Sequence, residues 1–134
     1  MNSLTNNFKI NNLFKTNTHS SAVPTTNNTI ILKGDSGATN HYISSNDAQI
    51  LQNVSPNSTI NVTLPNNASL NSTAIGQLPV PKLSTYASTA HVLPGLSNTS
   101  LLSLGQLADD NCLILLDKQM LHVFKNFELI LQGY

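Results

Sequence analysis

The chain contains one apolar run that leads straight into a tight turn: Ile30-Ile31-Leu32-Lys33-Gly34-Asp35-Ser36-Gly37. Consecutive Ile, Ile and Leu side chains are typical of a short buried strand, and Gly34 ends the run. Gly37 has no Cβ and permits a close backbone turn after the carboxylate, while the Ser36 hydroxyl can hydrogen-bond locally. The sequence therefore predicts a strand anchored in the core, with Asp35 at the junction between strand and turn.

The composition around this run fits one small domain. The chain has 134 residues, of which 40% are hydrophobic and only 5% aromatic, with no Trp, so a core must be built from aliphatic side chains. Residues 1–28 are polar and rich in Asn, Ser and Thr, without a sustained apolar period, which predicts a disordered lead-in. Residues 29–134 are then predicted to form a single domain.

The segment after the turn has the pattern of a β-hairpin. Ile60, Val62 and Leu64 alternate with polar residues, as in a half-buried strand. The turn formers Pro65-Asn66-Asn67-Ala68 separate this strand from a second extended segment. The sequence therefore predicts a hairpin over residues 58–80.

The rest of the chain is also read mainly as strands. A β-like run covers residues 82–93, and leucines at helix-like spacing between positions 101 and 107 predict one short helix. Three closing apolar runs, at 112–116, 120–124 and 127–131, predict a meander. Many short strands with one short helix indicate a mainly β fold, a small barrel.

Charge and cysteine content exclude several classes of function. The chain has six Lys, no Arg and six acids, for a formal net charge of zero, and the lysines are scattered singly. Nucleic-acid binders rely on clustered cations, so no nucleic-acid partner is expected.

No stretch approaches 18 apolar residues and no signal-peptide pattern opens the chain, so no membrane association or secretion is expected. The lone Cys112 permits no internal disulfide and favours a reduced, cytoplasmic location.

Other candidate site residues have ordinary structural interpretations. His41 lies six residues after Asp35 and is predicted to be a hydrogen-bonded structural histidine. Asp109 and Asp110 are predicted to form a solvated turn rather than a metal pair, since no His or Glu stands at ligand spacing. Cys112 is predicted to be a small buried hydrophobe. No metal site and no cofactor are expected.

The chemistry that Asp35 could perform requires a second carboxylate. Hydrolysis of a peptide bond by an activated water needs one carboxylate to accept a proton and another to donate one. Two carboxyls about 3 Å apart cannot both ionise, so they share a proton. No other Asp of the chain stands in an Asp-Ser/Thr-Gly context, so the partner would come from a second chain. The tripeptide alone also suits a surface β-turn.

Five segments together carry a more specific signal. They are Gly34-Asp35-Ser36-Gly37-Ala38-Thr39-Asn40-His41-Tyr42, Asn46-Asp47-Ala48, Thr63-Leu64-Pro65-Asn66, His91-Val92-Leu93-Pro94-Gly95-Leu96 and Ser100-Leu101-Leu102-Ser103-Leu104-Gly105-Gln106-Leu107. In this order they resemble the protease segment of copia-type retrotransposon Pol polyproteins. The resemblance is collinear from about residue 30 to residue 133.

The resemblance implies a function as well as a fold. It implies a closed retropepsin-like β-barrel in which Asp35 is the catalytic aspartate, and Ser36 and Gly37 complete its active-site loop. The hairpin would be a flap over substrate, and Leu101-Leu102-Ser103 would be a second apolar turn beneath the site, with Ser103 where related proteases often have Gly. Such proteases are homodimers that hydrolyse a polyprotein peptide, in the cytoplasm or in a virus-like particle. The alternative is a catalytically silent β-barrel remnant that acts at most as an interaction module.

Overall fold

The computed structural model describes residues 6–12, 28–97 and 99–133. Short strands dominate this part of the chain, which confirms the prediction of a mainly β fold. The strands are β1 (Asn6–Asn12), β2 (Asn28–Asp35), β3 (His41–Ile43), β4 (Gln52–Pro56), β5 (Asn61–Thr63), β6 (Ser69–Asn71), β7 (Ala74–Gln77), β8 (Thr89–Val92), β9 (Ser100–Ser103), β10 (Leu113–Leu116), β11 (Leu121–Lys125) and β12 (Glu128–Gly133). The helices are a 3-10 helix (Ser45–Ile50), α1 (Thr85–Ser88) and α2 (Leu104–Asp109). In these ranges no helix is long and apolar enough to cross a membrane.

Ten of the strands form one sheet, in the order β10-β11-β12-β1-β2-β9-β3-β8-β7-β4, and β5 and β6 pair separately. Within the described ranges no ladder joins the outer strands β10 and β4. The closed barrel that the sequence predicted is therefore not confirmed. The sheet nevertheless contributes to one core, because buried side chains from both halves of the strand order belong to a single apolar cluster.

A largely buried ion pair links strand β11 to the end of helix α2. Lys125 Nζ of β11 lies 2.6 Å from Asp110 Oδ2, directly after α2. Burial alone would raise the pKa of Asp110, but hydrogen bonds from Lys125 and Ser84 outweigh it, so the pKa is lowered. The contact attaches the β11–β12 hairpin to the end of helix α2.

The prediction of a disordered lead-in over residues 1–28 is wrong for strand β1. Residues 6–12 pair antiparallel with β2 along its length, and Phe8 also faces Gly133 of β12. Phe8 and Ile10 are buried in the core while the alternating Asn7 and Lys9 are exposed. Two apolar residues at period two were too few to reveal a strand in so polar a segment. Residues 1–5 and 13–27 lie outside the described residues.

Both α-helices differ from the prediction, and a serine stands at the start of each. The predicted helix over 101–107 is α2 only from Leu104, because Leu101 and Leu102 belong to β9. Residues 85–88, predicted to be extended, form α1. Ser84 Oγ accepts the Ala87 N–H at 3.1 Å, which is a side-chain cap of the kind that starts helices.

The closing meander is confirmed, and the hairpin predicted over residues 58–80 is confirmed for β5 and β6, whereas β7 pairs with β4 and β8. Strands β5 and β6 pair antiparallel with Val62 opposite Leu70, and the Leu64 N–H donates to the Ala68 carbonyl at 2.8 Å across the turn. Strands β10, β11 and β12 pair antiparallel in succession. The side chains of β5 and β6 are exposed or half-buried, so this hairpin extends from the core.

Candidate active site

Asp35 stands where three strands meet. Strand β9 lies between β2 and β3, parallel to the first and antiparallel to the second, with Asp35 opposite Ser103 and Tyr42 opposite Leu101. Residues 36–40 connect β2 to β3 and must therefore cross the end of β9. Because β9 ends at Ser103, the residue before α2, the Asp-Ser-Gly turn lies directly beside the start of that helix.

The carboxylate of Asp35 is half-buried and held by its own turn. The Gly37 N–H donates to Asp35 Oδ1 at 2.7 Å, an Asx-turn that fixes the orientation of the carboxyl group. A Cβ at Gly37 would lie 3.3 Å from the same oxygen, so the missing side chain leaves room for this contact. Ser36 and Gly37 are exposed. The three residues predicted for the site thus form one accessible turn at the end of β2, a strand whose Ile30 and Leu32 are buried while Ile31 is exposed.

Behind this turn lies His41, which is completely buried. The Ser103 N–H donates to His41 Nδ1 at 2.8 Å, and the ring in turn donates from Nε2 to the Ala87 carbonyl at 2.7 Å. Because Nδ1 must accept, the ring is neutral with its proton on Nε2. The prediction of a hydrogen-bonded structural histidine is confirmed.

Gln106 of α2 satisfies three further backbone groups around the same histidine. Its Oε1 accepts the His41 N–H at 3.0 Å, and its Nε2 donates to the carbonyls of Tyr86 and Thr89 at 2.6 and 2.9 Å. Gln106 is itself buried. One amide therefore links β3, α1 and α2 beneath the Asp35 turn, and no backbone group it touches is left without a partner.

The pKa of His41 is lowered to about 4. Burial is the largest cause, the bond to the Ala87 carbonyl opposes the shift, and the nearby His91 adds a smaller lowering. The protonated ring could not accept the Ser103 N–H, because both ring nitrogens would then carry protons. His91, buried on neighbouring β8, also has its pKa lowered by burial. His41 and His91 are therefore both neutral in the folded protein at neutral pH.

The lowered pKa of His41 predicts that the folded state loses stability in acid at pH values above those at which carboxylates titrate. The unfolded chain binds a proton at His41 below pH 6.5 and the folded chain only below about 4, so stability is full above 6.5 and falls as pH falls through this window. The expected loss is about 3 kcal/mol. Urea unfolding of the parent and of His91→Asn, measured at intervals across the window, checks the prediction. Both proteins should lose stability as the pH falls. A parental free energy of unfolding that does not change across the window would contradict a neutral, buried His41.

The other aspartates are held in separate contacts. Asp47 Oδ2 accepts hydrogen bonds from Ser100 Oγ at 2.6 Å and from Ser44 Oγ at 3.2 Å. Ser100 begins β9, whereas Asp35 faces Ser103 at its end. Three residues of strand separate these positions by roughly 10 Å, too far for two carboxyls to share one water.

The remaining candidates of the sequence analysis have structural roles. Asp109 accepts a hydrogen bond from the Tyr86 hydroxyl at 3.4 Å, and Asp110 is paired with Lys125, so the predicted solvated turn is correct for exposed Asp109 and wrong for Asp110. Cys112 is buried within the core cluster, as predicted, and burial raises the pKa of its thiol. Within the described ranges, no group of three or more His, Cys, Asp or Glu residues could hold a metal ion.

Sequence reasoning missed the polar contacts behind the turn. The resemblance placed Ser103 in an apolar turn beneath the site and Gln106 in the segment after it, without a polar role, although both are polar residues inside an apolar run. Such residues are usually buried only with hydrogen-bond partners, and this was the one available signal. Their partner His41 is more than 60 residues away in sequence, so the pairing itself was not readable.

Comparison with known proteins gave no match: no protein-family model, no curated protein and no solved structure matches this chain.

Proposed function

We propose that this chain is a retropepsin-like aspartic endopeptidase of a copia-type retrotransposon polyprotein, active as a homodimer. The observation that carries the proposal is the setting of Asp35: a half-buried carboxylate, oriented by the Gly37 N–H, in an exposed turn over the end of β9. A catalytic group has to be both accessible and held, and a turn anchored by a strand with one face in the core provides both.

In the proposed reaction two Asp35 carboxyls, one from each copy, face the same water. One accepts a proton from the water as its oxygen attacks the peptide carbonyl, and the other donates a proton towards the substrate. The need for two copies follows from the single Asp-Ser-Gly and from the separate contacts of Asp47, Asp109, Asp110 and Asp117. The fold proposed with this function is a closed retropepsin-like barrel, which would require the outer strands β10 and β4 to come together.

The β5–β6 hairpin is the proposed flap. It is continuous with the β4–β7 ladder, where Pro56 faces Ala74, and it extends away from the core. A flap has to move while its base stays fixed. A short hairpin with exposed side chains, mounted on a strand pair of the main sheet, fits that requirement.

The proposal is tested by cleavage of a peptide library at acidic to neutral pH over a range of chain concentrations. The rate per chain should rise with concentration and level off when sedimentation shows a dimer. A statine-type peptide, whose hydroxyl imitates the tetrahedral intermediate, should inhibit it. A chain that remains monomeric at high concentration, or a dimer that cleaves no peptide, would contradict the proposal.

A second candidate function is binding without catalysis, as expected of a silent remnant. The observation that favours it is an apolar surface on β10 and the β11–β12 turn, four strands from Asp35 in the sheet order. Leu113 and Leu115 are about half exposed and Phe127 is fully exposed around a groove of about 480 Å³. Patches of this kind often mark interaction surfaces. Absence of cleavage by a dimeric chain would favour this candidate.

A further inference from the structure

Ser103 occupies a position from which one side chain reaches both the Asp35 turn and helix α2. It is the last residue of β9, faces Asp35 across the β2–β9 ladder, and is the residue directly before α2. Its side chain is completely buried. A buried hydroxyl at this point needs partners, and it has two.

The hydroxyl of Ser103 links two segments through one oxygen atom. Oγ accepts the Gln106 N–H at 3.0 Å, which caps α2, and donates its own hydrogen to the Ala38 carbonyl at 2.6 Å. The directions are fixed, because an amide N–H can only donate and a carbonyl can only accept. The hydroxyl therefore has a single orientation, and it ties the far side of the Asp35 turn to the helix.

The backbone of Ser103 is held as firmly as its side chain. Its N–H donates to His41 Nδ1, and the His41 N–H donates to Gln106 Oε1. The segment from Asp35 to His41 is thus attached to the start of α2 at two points, Ala38 and His41. These two attachments and the β2–β9 ladder together restrict the backbone that carries the Asp35 carboxylate.

We propose that Ser103 is a positioning residue for Asp35, acting through its hydrogen bond to the Ala38 carbonyl. The inference rests on the proposed function, because the geometry it protects is that of a carboxylate meeting its counterpart from a second copy. Because the side chain of Ser103 is completely buried, its proposed action is on the loop and not on substrate. It fixes the loop in which Asp35 must stay for two copies to form one site.

The chain provides a matched control in Ser84. Ser84 caps α1 through the Ala87 N–H just as Ser103 caps α2, but its hydroxyl makes no contact with the Asp35 turn. Ser84→Ala and Ser103→Ala therefore each remove a helix cap of the same kind. Only Ser103→Ala also releases the Ala38 carbonyl.

The test compares Ser103→Ala, Ser103→Thr and Ser84→Ala by amide hydrogen exchange at residues 37–40 and by peptide-cleavage kinetics. In Ser103→Ala we expect exchange at these amides to rise by about tenfold or more, with kcat lowered about tenfold and KM little changed. Ser103→Thr, which keeps the hydroxyl, should restore both values, and Ser84→Ala should alter neither. If Ser103→Ala fails to fold, Ser103→Gly replaces it, since Gly is tolerated at this cap position.

The outcomes separate this inference from the proposed function. Equal exchange at residues 37–40 in Ser103→Ala and Ser84→Ala would overturn the positioning role. An unchanged kcat in Ser103→Ala, with an active parent, would do the same. A parent that cleaves nothing would instead contradict the proposed function, and hydrogen exchange would still decide whether Ser103 holds the turn.

Discussion

Asp35→Asn is expected to lower kcat for peptide cleavage by roughly 10³-fold, within the range that general acid–base groups contribute. The amide cannot accept the proton of the attacking water, so the chemical step is lost. The turn itself should survive, because the Asn oxygen can still accept the Gly37 N–H that Asp35 Oδ1 accepts at 2.7 Å. The measurement is steady-state cleavage at matched chain concentrations, with the folded state checked by urea unfolding.

Asp109→Asn is the control for that substitution. Asp109 is an exposed carboxylate whose one observed partner, the Tyr86 hydroxyl, can donate equally well to an Asn oxygen. The variant should cleave like the parent. If Asp35→Asn also cleaves like the parent, Asp35 is not the catalytic aspartate, and the observed activity comes from another source.

Gln106→Leu is expected to destabilise the fold by about 3 kcal/mol, the cost of leaving a buried donor and buried acceptors without partners. Leu fills similar space but leaves the His41 N–H without its acceptor and removes the donor to the Tyr86 and Thr89 carbonyls. These groups lie in three different elements, so the loss cannot be repaired by a local shift of one of them. Urea unfolding at neutral pH gives the difference in free energy.

Gln49→Leu supplies the comparison for Gln106→Leu. Gln49 is exposed in the 3-10 helix, so the same chemical change there should alter stability by less than about 0.5 kcal/mol. Equal effects of the two substitutions would mean that the buried amide is not the link between β3, α1 and α2.

The sequence was sufficient to predict the elements whose signal is local. The apolar run before Gly34 predicted β2, and turn residues at positions 65–68 predicted the hairpin that β5 and β6 form. The last three strands were also predicted as separate elements, because two short polar segments interrupt the apolar run that they would otherwise form. In each case adjacent residues determine the backbone without help from distant parts of the chain.

Elements that depend on distant partners were missed or displaced. Strand β1 has little apolar pattern of its own and is held by pairing with β2 and by burial of Phe8. Leu101 and Leu102 fit a helical spacing, yet β9 is extended because it pairs with strands on both sides. The sequence likewise located Asp35, whereas its support by Ser103 requires contacts across more than 60 residues. Tertiary pairing overrides local preference in these places.

Subunit mixing tests the central claim, a site shared by two copies of Asp35, most directly. Parent and Asp35→Asn chains are mixed at constant total concentration, allowed to exchange, and assayed for cleavage. Because a dimer with one carboxylate lacks either its acid or its base, activity should follow the square of the parental fraction, about a quarter at equal amounts. A linear decline, about half at equal amounts, would contradict the shared site and show that each chain holds a complete one.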